Sequence, residues 1–239
     1  GESSLSKNDP TQVKDCFEGI NRAIFSFNQG LDATIFEPIA KVYRKLPVPI
    51  RKGSGNLVTN LTNLVTIPNN ILQGEFKEAG INTARLALNT TVGVFGIFDV
   101  ATAFGFKEYQ KEDYGQTLGA TLGAGPGCYL VLPVLGPSST RDALGSIFSL
   151  VGGDPWYNVT VKNDTHYFKD SDYYTTRITN GVDFRAKNIE SFENLEENSI
   201  DFYASVKSLY LQDRQQKILN SKRITETQDD SDWEEIDAN

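Results

Sequence analysis

The chain has 239 residues, 39% hydrophobic and 23% charged, which excludes wholesale disorder and leaves ample material for a buried core. Its net charge of -8 is concentrated at one end: residues 226–239 hold seven acids and no base, leaving 23 bases against 24 acids in residues 1–225. A body so close to neutral lacks the basic footprint of a nucleic-acid-binding protein, and the acidic end reads as a solvated, disordered tail.

Residues 1–14 are polar and read as a flexible tether. From Asp15 the pattern turns helical: Phe17, Ile20, Ile24, Phe27, Leu31 and Ile35 recur at spacings of three and four and form one apolar stripe, with Phe25 and Phe36 lying off it. An apolar surface this broad fits lipid contact or a core with scattered exposed aromatics. Pro38 suits the first turn of a second helix ending by Pro47 and Pro49. Arg44, Lys45, Arg51 and Lys52 cluster there, either as headgroup contacts or as a solvated face. Residues 54–73 carry a helical pattern broken at Pro68, Gly74 marks a turn, and another helix is expected over 76–88. From Leu86 to Phe106 the only charge in 21 residues is Asp99. That length could cross a bilayer, but Asn89, Thr90, Thr91, Gly93, Gly96, Thr102 and Gly105 make it too polar and too breakable for a simple span. Short helices at a membrane surface or packed in a ring are expected instead, with Asp99 as a structural charge paired to Arg85 or Arg141.

Residues 107–117 are charged and wet. The ribbon from Leu118 to Asp142 follows, apolar and uncharged up to Arg141, yet Gly119, Gly123, Gly125, Gly127, Gly136, Pro126, Pro133 and Pro137 deny it a continuous helix. Backbone left unpaired in an apolar environment is costly, so such a ribbon is either buried in protein or lines a path for something apolar. Ser139 and Asp142 have capping-box spacing and start a helix, which stops at Gly152-Gly153. Asp154-Pro-Trp-Tyr157 sets an aromatic pair in a turn, at headgroup level or at a core edge. From Asp172 to Lys222 the chain is charged and periodic, with a stripe of Phe202, Val206, Leu209 and Tyr210 and a break near Asn198-Ser199. No repeat, Gly/Ser linker or clean boundary appears. The expected organisation is a tether over 1–14, one all-α domain over 15–222 and an acidic disordered tail over 223–239.

Catalytic chemistry finds no footing. His166 is the only histidine and no Gly-x-Ser-x-Gly elbow accompanies it. One histidine and two cysteines in separate motifs make no zinc site, and the glycines lack phosphate-loop or dinucleotide spacing. Neither an enzyme nor a cofactor is expected.

Four blocks carry a resemblance: Asp15-Cys-Phe-Glu-Gly-Ile-Asn-Arg22; Leu72-Gln-Gly-Glu-Phe-Lys-Glu-Ala79 with Asn89-Thr-Thr91; Gly96-Ile-Phe-Asp-Val-Ala101; and Gly125-Pro-Gly-Cys-Tyr-Leu-Val-Leu-Pro133 with Leu135-Gly-Pro-Ser-Ser-Thr-Arg-Asp142. In this order they resemble the MlaA/VacJ family of outer-membrane lipoproteins, from about residue 13 to about residue 220 and including Glu196–Ala204 and Tyr210–Gln212. The resemblance implies a single ring-like all-α domain of amphipathic and membrane-interfacial helices, with the Gly/Pro-rich apolar loop or hairpin near a central amphipathic channel. It implies a place in the inner leaflet of the outer membrane, on the periplasmic side. Misplaced phospholipid from the outer leaflet would pass through the channel to a periplasmic carrier of the Mla pathway, with a trimeric porin as a further partner and no nucleic acid. On this picture Phe27, Leu31, Leu118, Leu122, Tyr129 and Leu130 border the lipid channel, each with plain core packing as its alternative. Gly123, Gly125 and Gly127 are the flexible points, and Asp99, Arg141 and Asp142 are structural charges.

Cys16 and Cys128 each stand where the family has proline, and two departures of one kind suggest a disulfide in an oxidising compartment; two unpaired small core residues are the alternative. A chain that opens on Gly1 and carries no Met reads as processed or recombinant, and the family implies a lipidated cysteine upstream. Competing functions are an envelope scaffold or porin-binding protein that carries no lipid, and a lipid hydrolase built on His166.

Overall fold

Asn21 and Phe25 are the buried residues of α1 (Glu18–Leu31), whereas Phe17, Ile20 and Phe27 are 54%, 62% and 55% exposed. The apolar stripe legible in the sequence therefore faces mostly outward, with Ile24 packed against the core, and the fully buried side chains lie off it. The computed structural model describes residues 13–163 and 165–237, the stretch 222–237 by its backbone course alone. The described chain is mostly helical with one small hairpin, and it gathers into two compact units built from discontinuous segments.

The first unit draws on Gly1–Leu31, Tyr114–Ser146 and Glu190–Asn239. It contains α1, α6 (Tyr114–Thr121), β1 (Tyr129–Leu132), β2 (Gly136–Ser139), the start of α7 (Thr140–Phe148), most of α10 (Ile189–Asn198) and α11 (Phe202–Asp237). Phe25, Tyr129, Val131, Tyr203 and Leu211 form its core, with Val13, Ile24, Phe202, Val206 and Tyr210 packed around them. Among the described side chains of α11, Tyr203, Leu211, Ile218 and Ser221 are buried, while Leu209 of the predicted stripe is half exposed. The backbone of α11 runs to Asp237 because residues 202–237 contain no Gly or Pro to stop it, where a disordered tail over 223–239 was expected. Of the expected tether, residues 1–12 lie outside the described residues; Val13 joins the core and the Lys14 carbonyl accepts from the Tyr129 N–H at 2.9 Å.

The second unit draws on Asp32–Asp113 and Ile147–Ile189. A π-helical turn over Asp32–Phe36 leads into α2 (Glu37–Arg44), followed by α3 (Val48–Leu72), α4 (Phe76–Thr91), α5 (Val100–Ala103), the short α8 (Pro155–Tyr157) and α9 (Asp170–Lys187). Asp154 caps α8, accepting from the N–H groups of Trp156 and Tyr157. The helix predicted to break at Pro68 runs through it. Pro68 cannot donate to the carbonyl one turn back, but Asn63 and Thr66 before it and Asn69 and Asn70 after it are buried on one continuous face, and α3 packs chiefly on α4. Asn69 Nδ2 also donates to the Val65 carbonyl at 2.8 Å, supporting the weakened turn. The α3–α4 seam is polar, with Asn70 donating to Glu75 at 2.7 Å and Asn82 to Asn70 at 2.9 Å, and at the end of α3 Gln73 donates to Glu112, in the segment before α6, at 3.1 Å. Outside it Phe76, Phe95 and Phe104 are exposed by 68%, 70% and 70%. Among the described residues no helix is long and apolar enough to cross a membrane.

Candidate functional site

The central ribbon becomes a hairpin in the first unit. β1 and β2 pair antiparallel from Tyr129↔Ser139 to Leu132↔Gly136, and alternation along β1 turns Tyr129 and Val131 into the core. β1 has β2 on one side only, and its other edge is closed by two amides of α1. Asn21 donates from Nδ2 to the Tyr129 carbonyl at 3.0 Å and accepts the Val131 N–H at 2.9 Å. Two turns along the helix, Asn28 donates to the Leu132 carbonyl at 3.0 Å and accepts the Val134 N–H at 2.8 Å. These amides stand in for a missing strand along this edge. Cys16 and Cys128 are joined by a disulfide with Cα atoms 5.6 Å apart, which fixes the approach to α1 against the approach to β1.

Beneath the hairpin the Tyr129 ring, fully buried, meets the rings of Tyr203 and Tyr210 edge to face at 6.0 and 6.2 Å. Lys207 Nζ lies over the same ring at 5.5 Å, and the Arg22 guanidinium over Tyr203 at 4.4 Å. Asp15, its side chain 6% exposed, accepts from Asn21 at 2.7 Å, from the Tyr203 hydroxyl and from Lys207 at 3.3 Å. Burial alone would raise its pKa, but the Tyr203 and Asn21 hydrogen bonds, with Lys207, hold it below the ordinary carboxylate value. The Tyr129 phenol, by contrast, is pushed well above its usual range by burial and then by the Asp15 charge.

Where β2 turns into α7, Ser139 Oγ accepts the Asp142 N–H at 3.2 Å, the cap that the spacing predicted. Asp142 receives Arg214 through both oxygens, at 2.9 and 2.8 Å, with Arg141 at 3.0 Å and the Tyr210 hydroxyl. Its burial is outweighed first by the Arg214 charge and hydrogen bonds, then by Arg141 and Tyr210, so its pKa is lowered. Glycine makes room for this cluster. A Cβ at Gly115 would meet Asp142 Oδ1 at 2.4 Å and Arg214 at 2.8 Å.

Among the residues predicted to border a lipid path, Phe27 and Leu122 are well exposed and Leu31, Leu118 and Leu130 are half-buried. Tyr129 is enclosed by the tyrosines of α11 and belongs to the core, so it faces no open space. Gly123 and Gly127 have φ of 63° and 70°, conformations that favour glycine, and Gly123 and Gly125 have open space around them. Of the two partners proposed for Asp99, Arg85 is the one, within the second unit: Asp99 accepts from it at 3.0 Å, and from Thr102 and Asn89. Arg141 is committed to Asp142 and the Ala124 carbonyl. His166 is exposed in the second unit with its ring edge-on to Tyr167. Asn21 and Asn28 set the position of the hairpin; the sequence showed Asn21 only as part of a motif and gave neither amide a role, because amides on a helix read as surface.

A family model for the MlaA lipoprotein matches residues 13–217. An uncharacterized protein of Rickettsia bellii is 33% identical, the match covering 94% of this chain and 84% of that one. The intermembrane phospholipid transport system lipoprotein MlaA of Haemophilus influenzae is 30% identical over 92% of this chain and 86% of its own length. The protein of that name in Escherichia coli is 35% identical over 59% of this chain and 58% of its own. A solved structure from work on the structural basis for maintenance of bacterial outer membrane lipid asymmetry superimposes with a TM-score of 0.70 at 29% identity, covering 86% of this chain and 99% of that one. With the matched span taking in the disulfide, the hairpin and the buried Asp142 cluster alike, the chain belongs to the MlaA lipoprotein family.

Proposed function

We propose that the chain removes mislocalised phospholipid from the outer leaflet of the bacterial outer membrane and so maintains the asymmetry of that membrane. The observation that carries this reading is the outward apolar face of α1, with Asn21 turned in and Phe17, Ile20 and Phe27 turned out, as suits a helix lying among acyl chains. The polar α3–α4 seam under exposed phenylalanines supports it from the second unit. The relatives in Haemophilus influenzae and Escherichia coli carry the name of a phospholipid transport lipoprotein, and the similar solved structure comes from work on lipid asymmetry.

On this reading Phe27, Leu31, Leu118, Leu122 and Leu130 present an apolar wall to the acyl tails, and the loop of Gly123, Gly125 and Gly127 gives it play. The native protein is lipid-anchored at the periplasmic face of the outer membrane, an amphipathic channel receives the lipid, and a periplasmic carrier takes it up, while a trimeric porin covers part of the exposed apolar surface. No bond changes; the imbalance between leaflets and the affinity of the carrier drive the transfer. Native mass spectrometry of the detergent-extracted protein tests the reading. Bound phospholipid is expected. A porin without lipid would instead make the chain a scaffold, and lysolipid would make it a hydrolase.

A further inference from the structure

The turn from α2 to α3, within the second unit, is an apolar tip set between two basic pairs. Leu46-Pro-Val-Pro-Ile50 is exposed without a break, Arg44-Lys45 precedes it and Arg51-Lys52 follows it. Val48 and Ile50 are 51% and 55% exposed, and Val42 on the adjoining helix is 64% exposed. The turn is nonetheless held in one shape. Ala40 of α2 is fully buried, and the Tyr43 hydroxyl meets Ser54 Oγ at 2.7 Å and donates to Asp183 at 3.2 Å, tying α2 to α3 and α9. Its backbone also suits an apolar medium. Pro47 and Pro49 have no N–H to leave unpaired. The Leu46 N–H donates to the Tyr43 carbonyl at 3.0 Å, and the Ile50 and Arg51 N–H groups converge on the Pro47 carbonyl at 3.0 and 3.3 Å. Arg51 Nε covers the Leu46 carbonyl at 3.1 Å, so part of the basic rim shields the tip itself.

The charge around this tip has one sign. Residues 38–74 hold five bases and no acid. The carboxylates that approach from elsewhere are occupied: Asp183 pairs with Lys187 at 2.6 Å, and Glu37 with Lys41. Lys45 and Lys52 are exposed, and among the described residues neither has a carboxylate within salt-bridge reach. Apolar side chains at a tip with uncompensated cations beside them match a leaflet whose headgroups are negative, the first entering the acyl region and the second meeting phosphates. We propose that this turn docks on anionic phospholipid headgroups, those of the phosphatidylglycerol class, in preference to zwitterionic ones. The proposal rests on the membrane seating above and adds to it the kind of lipid surface that the chain selects.

Flotation of the full chain, diluted out of detergent, tests it with phosphatidylethanolamine–phosphatidylcholine vesicles and with the same vesicles containing added phosphatidylglycerol. The parent is expected to bind both, the second kind more tightly, and to lose the difference in high salt. Lys45→Gln with Lys52→Gln is expected to bind the phosphatidylglycerol vesicles about thirtyfold more weakly, about fivefold for each charge removed. Its binding to the zwitterionic vesicles and its thermal midpoint should stay those of the parent. Val48→Ser with Ile50→Ser is expected to weaken binding to both kinds alike. Equal binding of the parent to the two kinds, or a lysine variant that keeps the preference, overturns the proposal and leaves the membrane seating intact. A parent that floats with neither kind refutes that seating and the proposal with it. A lysine variant that floats as the parent does but loses a cross-link to a protein partner would make the turn a protein contact, which also overturns the proposal.

Discussion

Replacing Cys16 and Cys128 together by serine removes a link between residues 112 apart in the chain. In the chain-entropy account, closing a loop of that length takes about 16 cal/mol/K from the unfolded ensemble, or ~4.8 kcal/mol at 25 °C. The folded protein keeps its other ties at the same place: Lys14 to Tyr129, Asn21 to Tyr129 and Val131 on the edge of β1 that β2 leaves open, and Asn28 to the tip. Most of the loss should therefore arise in the unfolded state, with a net destabilisation of roughly 3–5 kcal/mol. A chain of this size moves its Tm by about 2–4 °C per kcal/mol, which gives a fall of roughly 6–20 °C. Urea unfolding in detergent, comparing the double variant with the reduced and the oxidised parent, checks both the size and the origin of the effect. Freeing the unfolded chain exposes more surface, so the denaturant slope m should rise while the midpoint falls. Native-state exchange over residues 118–137 should also quicken on reduction. A loss below about 1 kcal/mol with unchanged m would refute the loop-closure reasoning, and unchanged exchange in the ribbon would refute its restraint by Cys128.

Gly145→Ala would put a Cβ at 2.3 Å from the Gly115 nitrogen and 2.8 Å from its Cα, backbone atoms that cannot swing aside. Restoring ordinary contact moves α6 by about 1 Å and disturbs the Asp142–Arg214 pair beside it, so a loss of about 3 kcal/mol or more is expected in thermal unfolding. Gly19→Ala in α1 meets nothing within 4 Å and should be neutral or slightly stabilising, which makes it the control. Asp142→Asn should be destabilising at neutral pH. The folded-state pKa of Asp142 is lowered, so its contribution is complete above an unfolded value of about 3.9 and is lost as pH falls through the folded value. The unfolding midpoints of parent and variant are therefore expected to converge below about pH 4, and a constant gap across pH would disprove the assignment.

Much of this was legible in advance, though not always with the right sense. The helix over Glu18–Leu31 and its stripe follow from the spacing of Phe17, Ile20, Ile24 and Phe27, but periodicity finds a face without saying which medium it meets. The cap at Ser139 is local and followed from spacing, whereas for Asp99 the sequence left Arg85 and Arg141 open, and Arg85 is the partner. The disulfide was readable because two prolines of the family pattern are replaced by cysteine together. Pro68 misled because propensity cannot weigh a buried face that continues on both sides of it. The break at Asn188, between α9 and α10, has neither Gly nor Pro to announce it. No compositional boundary marks the two units because each is assembled from distant segments. Asn21 and Asn28 were invisible for a related reason: their role depends on a strand edge more than a hundred residues away.

The misread faces have one physical cause. In water, helices are held together by burying apolar surface, and a seam of Asn60, Asn63, Thr66, Asn69, Asn82 and Asn89 would be a poor choice for α3 and α4. If the exposed side of these helices lies in acyl chains, apolar residues gain nothing by turning inward, because lipid is already as apolar as leucine. Association then falls to close packing and interhelical hydrogen bonds, which small polar residues supply. The same argument applies to α1, which spends its inward positions on Asn21 and Phe25 and leaves Ile20 and Phe27 outside. On the proposed membrane setting a greasy exterior and an amide-rich interior are two results of a single choice of solvent. That is why the strongest apolar signal in the sequence marks the surface, and the polar residues between its peaks mark the contacts that hold the fold.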